Sequence, residues 1–356
     1  MSLASAIKTG DLAELPSRRD EDWKWTDLRG LLRALPPASD RVAGDPAKGP
    51  LRRYDGLVGP GPFAAAADRA MVTINGERQH ITLQSSEQPV SLALRFVAKG
   101  AGAHAAGATI VVAPGAHAVL LESHEGLDDG YVREIDLDID VRAGASLERI
   151  VLVADRADAI SVSFAHVRLG EGAAFAQTVL TDGAKRQRTE TRIDHHGRGA
   201  AARLDGAYVL SDQRHADITT VVDLVDRDGA VAQLTKGCVR DQARGVFQGR
   251  IVVARGADGT DARMGHHALI LSERAEVDAK PELEIYADDV ACSHGNTVGA
   301  LDEEALFYIR QRGVPDAEAR ALLTEAFVGE VIDRIEHDGA REVAQAWAAE
   351  RLRSAP

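Results

Sequence analysis

One short run of the chain carries ligand chemistry: Cys292-Ser293-His294-Gly295. On an extended strand Cys292 and His294 stand at i and i+2, so both side chains leave the same face. Thiolate and imidazole are a natural ligand pair for zinc, copper or iron–sulfur chemistry. Two ligands do not close a coordination sphere, and Cys238 is the one other cysteine of the chain. Completion has to come from elsewhere, a second chain included. Blander roles fit the same residues. A buried cysteine packs as a small hydrophobe, and one cysteine with a remote histidine is the bare minimum of a nucleophile.

Other candidate constellations are weaker. The doublets His195-His196 and His266-His267 suggest metal sites, but neighbours on a strand point to opposite faces and cannot chelate one ion. Solvated or hydrogen-bonded histidines are the expectation there. An HxH pair, a GxxxxGK[ST] phosphate loop and a GxSxG nucleophile elbow are all missing from the sequence, so it should not hydrolyse nucleotides itself. Gly197 to Ala202 formally fits GxGxxA but lacks a strand–turn–helix setting.

The elements that position Cys292 and His294 are strands. From about residue 70 to 300 the chain runs in short β-branched stretches separated by turn residues, such as Thr109-Ile110-Val111-Val112. Several alternate strictly, as in Ile135-Asp136-Leu137-Asp138-Ile139-Asp140-Val141, the period of a half-buried strand. Gly-Ala pairs begin at 115, 144, 172, 199, 229 and 256, at spacings of 29, 28, 27, 30 and 27. A period in that range predicts stacked coils of one supersecondary unit, with glycine turning the chain and alanine packing between coils. A β-sandwich is the competing fold.

Both flanks read as helical. Asp20-Glu21-Asp22 suits the first turn of a short helix continued by Trp23, Trp25, Leu28, Leu31 and Leu32. Pro36, Pro37, Pro46, Pro50, Pro60 and Pro62 then break it into a loop-rich connector. After residue 301, Asp302 caps one helix that Gly313 and Pro315 end, and Asp316 caps the next. The second has an apolar stripe of Ala319, Leu322, Leu323, Ala326, Phe327, Val331, Ile332 and Ile335, and a third covers 341–353. The division is 1–68 for an N-terminal helical region and connector, 69–300 for the β core, and 301–356 for a C-terminal helical region.

Composition narrows the partners. The 356 residues hold 42 Lys and Arg against 55 Asp and Glu, a net charge of −13. Non-specific nucleic-acid and anionic-membrane binding need a cationic surface. The N-terminus shows no apolar stretch of signal-peptide length, and nowhere do 18 apolar residues run together. With free thiols, a cytoplasmic location is the expectation.

Three segments carry a family resemblance. The run KPELEIYADDVACSHGNTVG from Lys280 to Gly299 closely resembles the signature of the SufB/SufD family. LDEEALFYIRQRG from Leu301 to Gly313 and EDWKWTDL from Glu21 to Leu28 are similar too. The resemblance implies a right-handed parallel β-helix with helical flanks. It further implies a non-enzymatic scaffold for iron–sulfur cluster assembly, working with a SufB paralogue and the ABC-type ATPase SufC. The chain looks like the SufD branch, because the cysteine-rich CxxCxxxC-type element of SufB is missing.

By that resemblance, His294 and Cys292 face a nascent cluster shared with SufB, and none is held stably by this chain alone. The C-terminal region docks the ATPase, with Asp302, Leu322, Leu323, Phe327 and Val331 as contacts. A homodimer is the expectation when the partner is missing. Two rival readings are a cytosolic β-helical carbohydrate-active enzyme, which needs convergent carboxylates in a groove, and a stand-alone metal-binding protein.

Overall fold

Residues 2–40, 42, 57–86 and 89–353 are described in the computed structural model; Pro46 and Pro50 of the expected connector lie outside them. The described residues form seventeen strands, from β1 (Arg69–Ile74) to β17 (Ala291–Gly299). Each strand from β1 to β15 pairs in parallel with the strand two further along the chain. Odd-numbered strands therefore build a nine-stranded sheet and even-numbered strands an eight-stranded one. A chain that alternates between two parallel sheets in this way is a β-solenoid, as the repeat required.

Strand alternation sets what lies inside. In β6 (Val132–Val141), Ile135, Leu137, Ile139 and Val141 are fully buried, while Asp136, Asp138 and Asp140 between them are half-exposed. Inward rows of both sheets meet in one apolar core that includes Leu147, Phe175, Leu204, Phe247 and Met264. Burying each such side chain contributes about 1.5–3 kcal/mol.

The Gly-Ala repeat marks one turn of each coil. Gly115, Gly144, Gly172 and Gly199 have φ between 61° and 69°, the left-handed region that glycine enters without a Cβ penalty. The following alanines are buried, and their carbonyls accept from the next coil, as in Ser146 N to Ala116 O and Ala174 N to Ala145 O. The last two pairs differ from the expected register. Ala230 N reaches Ala200 O and Asp261 N reaches Gly229 O, so Asp228-Gly229 and then Gly259-Thr260 occupy the turn. Asp228 and Gly259 take the positive φ there. Gly256-Ala257 belongs instead to a lengthened turn, which is why its spacing only mimics the period.

The N-terminal segment is less helical than its sequence suggests. It contains α1 (Leu3–Thr9), a 3-10 turn at Glu21–Trp23 and the single turn α2 (Leu28–Leu31). Trp23, Thr26 and Leu28 lie against the outer face of the eight-stranded sheet rather than along one continuous helix. At the other end come α3 (Glu303–Arg310), α4 (Asp316–Ile332) and α5 (Asp338–Arg353). Asp302 caps α3 through Glu304 N (2.9 Å) and Ala305 N (3.2 Å), but Pro315, not Asp316, occupies the cap position of α4. Val328, Val331, Ile332 and Ile335 pack with Leu121, Ile150 and Leu180 of the nine-stranded sheet.

Candidate functional site

The last coil differs from those before it because no further coil among the described residues stacks on it. β15 (Asp261–Ile270) bonds β17 along one edge, and no strand among the described residues bonds the other. Cα register sets Cys292 beside Ala262, His294 beside Met264 and Asn296 beside His266. Ala262, Met264 and His266 are all buried in the coil interior. Cys292, His294 and Asn296 therefore continue an inward row, yet His294 and Asn296 are exposed and Cys292 only half-buried. An unpaired strand edge of this kind is a ready template for another chain.

Local packing explains the difference between the two ligand residues. Cys292 rests on the apolar core together with Ala287, Val290 and Leu283, and burial pushes its thiol above the ordinary range. It thus rests as the neutral thiol at neutral pH. Cys238 does not join it. That residue lies on β13 (Ala230–Val239), buried, with its side chain in the cluster beneath the C-terminal helices. The two thiols lie on opposite faces of the same sheet. Among the described residues, no three His, Cys, Asp or Glu side chains converge on one point.

The histidine doublets split between faces, as strand alternation dictates. His195 is buried, with Nε2 2.9 Å from Ala200 O, and His196 is exposed. His266 lies inside the coil, stacked on Phe247 at 4.7 Å. Its Nε2 is 2.9 Å from the Tyr208 hydroxyl and its Nδ1 2.7 Å from Asn296 Oδ1. Burial pushes its pKa down to about 4. His267 faces outward, 2.7 Å from Thr297 Oγ1.

Most of the exposed large apolar side chains fall in the last part of the chain, from residue 285 on. Ile285, Tyr286, Val298, Phe307, Tyr308 and Leu322 are all exposed, and just three other large hydrophobics of the described residues are comparably so. The five positions expected to meet an ATPase do not share one face. Leu322 is exposed and Leu323 half-buried, Phe327 lies half-buried under Lys236 Nζ at 4.2 Å, and Val331 is fully buried against the outer face of the nine-stranded sheet. Asp302 acts as the α3 cap.

Several buried polar networks escaped sequence reasoning, and two of them show why. Inside the coil, Arg149 bonds Glu122 (2.8 Å) and Gln177 (2.5 Å), and Glu122 also meets His124 Nε2 (2.5 Å). Burial pushes the Glu122 carboxyl up, yet Arg149 and His124 together hold it below its ordinary value. Outside the coil, Arg188 bonds Glu190 and Asp217 and stacks on Trp23 at 4.5 Å. It also reaches Asp22 O at 2.7 Å, while Thr26 donates to Asp217. The EDWKWT run is thus a plug for a buried ionic socket. The available signal was the outward row Arg186, Arg188, Glu190, Arg192, a strand face too charged to be left in solvent unpaired.

Comparison with known proteins agrees with this architecture. Residues 96–327 match the family model described as "SUF system FeS cluster assembly, SufBD core domain". "Iron-sulfur cluster assembly protein SufD" of Escherichia coli is 30% identical, over 98% of this chain and 91% of its own length. An "Iron-sulfur cluster assembly SufBD family protein" of Mycobacterium tuberculosis is also 30% identical, over 93% of this chain and 88% of its own. SufD of Bacillus subtilis is 34% identical over 31% of this chain and 25% of its own. No helix among the described residues is long and apolar enough to cross a membrane. A β-solenoid with this core match and these relatives belongs to the SufBD family of iron–sulfur cluster assembly proteins, and within it is most like SufD.

Proposed function

We propose that this chain is a non-enzymatic scaffold subunit that receives a nascent iron–sulfur cluster at the open end of its solenoid. The observation that carries the reading is the uncovered inward row of β17, which brings Cys292 and His294 to one face at an unpaired edge. Thiolate and imidazole suit iron, and two ligands leave the rest of the sphere to a partner. The cluster is cargo here, passed on rather than kept. A SufB-like paralogue with its own solenoid is the partner that adds strands to this edge, with Tyr286, Ile285 and Val298 as its apolar contacts. When that paralogue is missing, a second copy takes its place as a homodimer.

A SufC-like ABC ATPase supplies the nucleotide chemistry, for which this chain has no phosphate loop. It docks on the C-terminal helices through Leu322 and Leu323, and the preceding helix adds the exposed pair Phe307 and Tyr308. Val331 supports the helix from below instead. The complex works in the cytoplasm, away from nucleic acid and membrane. The carbohydrate-active alternative draws little support. A groove of about 700 Å³ crosses the nine-stranded sheet, but alanines 174, 176, 201, 230 and 232 line it. Its three carboxylates are all engaged: Glu148 accepts from the backbone N–H groups of Glu336 (2.7 Å) and His337 (3.0 Å), Asp261 pairs with Arg263 (3.0 Å) and Glu336 with Arg203 (3.0 Å).

Co-expression with SufB-like and SufC-like proteins tests the reading. All three should co-elute; Val298→Asp should release the paralogue and keep the ATPase, and Leu322→Asp the reverse. Failure of this chain to co-elute with either protein would sink the assignment.

A further inference from the structure

We propose that His266 and His267 position the strand bearing Cys292 and His294 by clamping it from both faces, through Asn296 inside and Thr297 outside; this rests on reading Cys292 and His294 as the site. Strands within the solenoid are held by ladders on two sides. β17 has one ladder only, to β15. A one-residue slip along that ladder would turn Cys292 and His294 to the opposite face. Two side-chain bonds lie directly across the register, His266 Nδ1 to Asn296 Oδ1 and His267 Nδ1 to Thr297 Oγ1, both 2.7 Å. They point to opposite faces and so oppose both a slip and a roll of the strand.

The inner half of the clamp is itself anchored. His266 stacks on Phe247 with 3° between the rings. The Tyr208 hydroxyl reaches its Nε2 from two coils back. That reach passes over Gly237, where an added Cβ would lie 1.9 Å from Tyr208 Cζ. With Tyr208 donating to Nε2, the imidazole proton resides on Nδ1 and is donated to Asn296. The clamp therefore needs an acceptor at position 296 and no particular side chain beyond that.

Hydrogen exchange on the purified full chain tests this, with Asn296→Ala, Asn296→Asp and Thr297→Val. Losing one such bond is expected to speed β17 amide exchange and Cys292 labelling by a thiol reagent roughly fivefold to tenfold. Asn296→Ala and Thr297→Val should show that rise with the middle coils unchanged. Asn296→Asp, which keeps the acceptor, should restore wild-type rates. Equal β17 exchange in Asn296→Ala and wild type, or no rescue by Asn296→Asp, would overturn the clamp. Asn296 is exposed, so folding of these variants is not at stake. In the co-expressed complex, Asn296→Ala should lower iron content and Asn296→Asp restore it. Should His294→Ala leave iron content unchanged while Asn296→Ala still frees the strand, the site reading fails and the clamp stands.

Discussion

Phe175 and Cys292 occupy equivalent inward positions, four coils apart. One row of the nine-stranded sheet runs Leu147, Phe175, Ala202, Val231, Ala262, Cys292. In the middle, β7 (Ser146–Ala154) and β9 (Ala174–Thr181) each have neighbours on both sides, and Leu147 and Phe175 are sealed in the core. At the end the same geometry has no lid, and an inward position becomes an accessible one. The difference teaches that the accessible face of Cys292 and His294 is made by termination. A solenoid exposes its core row wherever it stops, and here it stops on a thiol, an imidazole and an amide.

Breaking the sealed region should cost most. Arg149→Met leaves the Glu122 carboxylate buried without its main partner, at about 3–5 kcal/mol, read by urea unfolding. Phe175→Ala should cost about 3 kcal/mol or more through the cavity it leaves. Cys292→Ala, in the same row, should cost under about 1 kcal/mol. Equal losses for these last two would erase the distinction between middle and end.

A pH test probes the buried socket beneath the N-terminal segment. Burial and the nearby Arg186 push His215 down to about 3, and its Nε2 donates to Trp25 O at 3.1 Å. Below pH 6.5 the unfolded chain binds a proton there that the folded chain does not, so this contribution is full above 6.5 and lost as pH falls toward 3. Glu134, pushed up to about 7, and Asp205, up to about 6, act in the opposite direction, stabilising at low pH and losing that as pH rises. The histidine's share is therefore read as a difference. Between pH 7 and 5, His215→Asn should flatten the stability loss by about 1–2 kcal/mol; an unchanged slope would remove His215 from the balance. The smallest effect belongs to Lys280, which ties β16 (Glu276–Ile285) to Glu21 at 2.9 Å across an exposed gap. Lys280→Ala should change stability by about 0.5 kcal/mol or less, and a larger loss would mean that the N-terminal segment braces the open end.

Much of the fold was legible because the repeat is physical. Ile135 to Val141 states its own burial by alternation, and Gly115, Gly144, Gly172 and Gly199 state the turn. Gly256 misled because a dipeptide carries no information on the length of the turn around it. The Cys292–His294 face was readable from period two alone. What made it accessible was not, since no local pattern marks the last coil of a stack. Arg149 and Glu122 look like solvent-facing residues in sequence, because each finds its partner one coil away, 27 residues along. Thr26 and Asp217 meet across 191 positions, which no spacing rule reaches. Val331 belongs to a helical stripe whose two sides, one buried against the sheet and one exposed at Leu322, differ only by rotation.

The most direct test of the central claim measures iron and acid-labile sulfide in the complex of this chain with its SufB-like and SufC-like partners, wild type against His294→Ala. The expected result is an intact complex of unchanged stoichiometry whose iron and sulfide content falls several-fold. Equal iron and sulfide in the two complexes would contradict it.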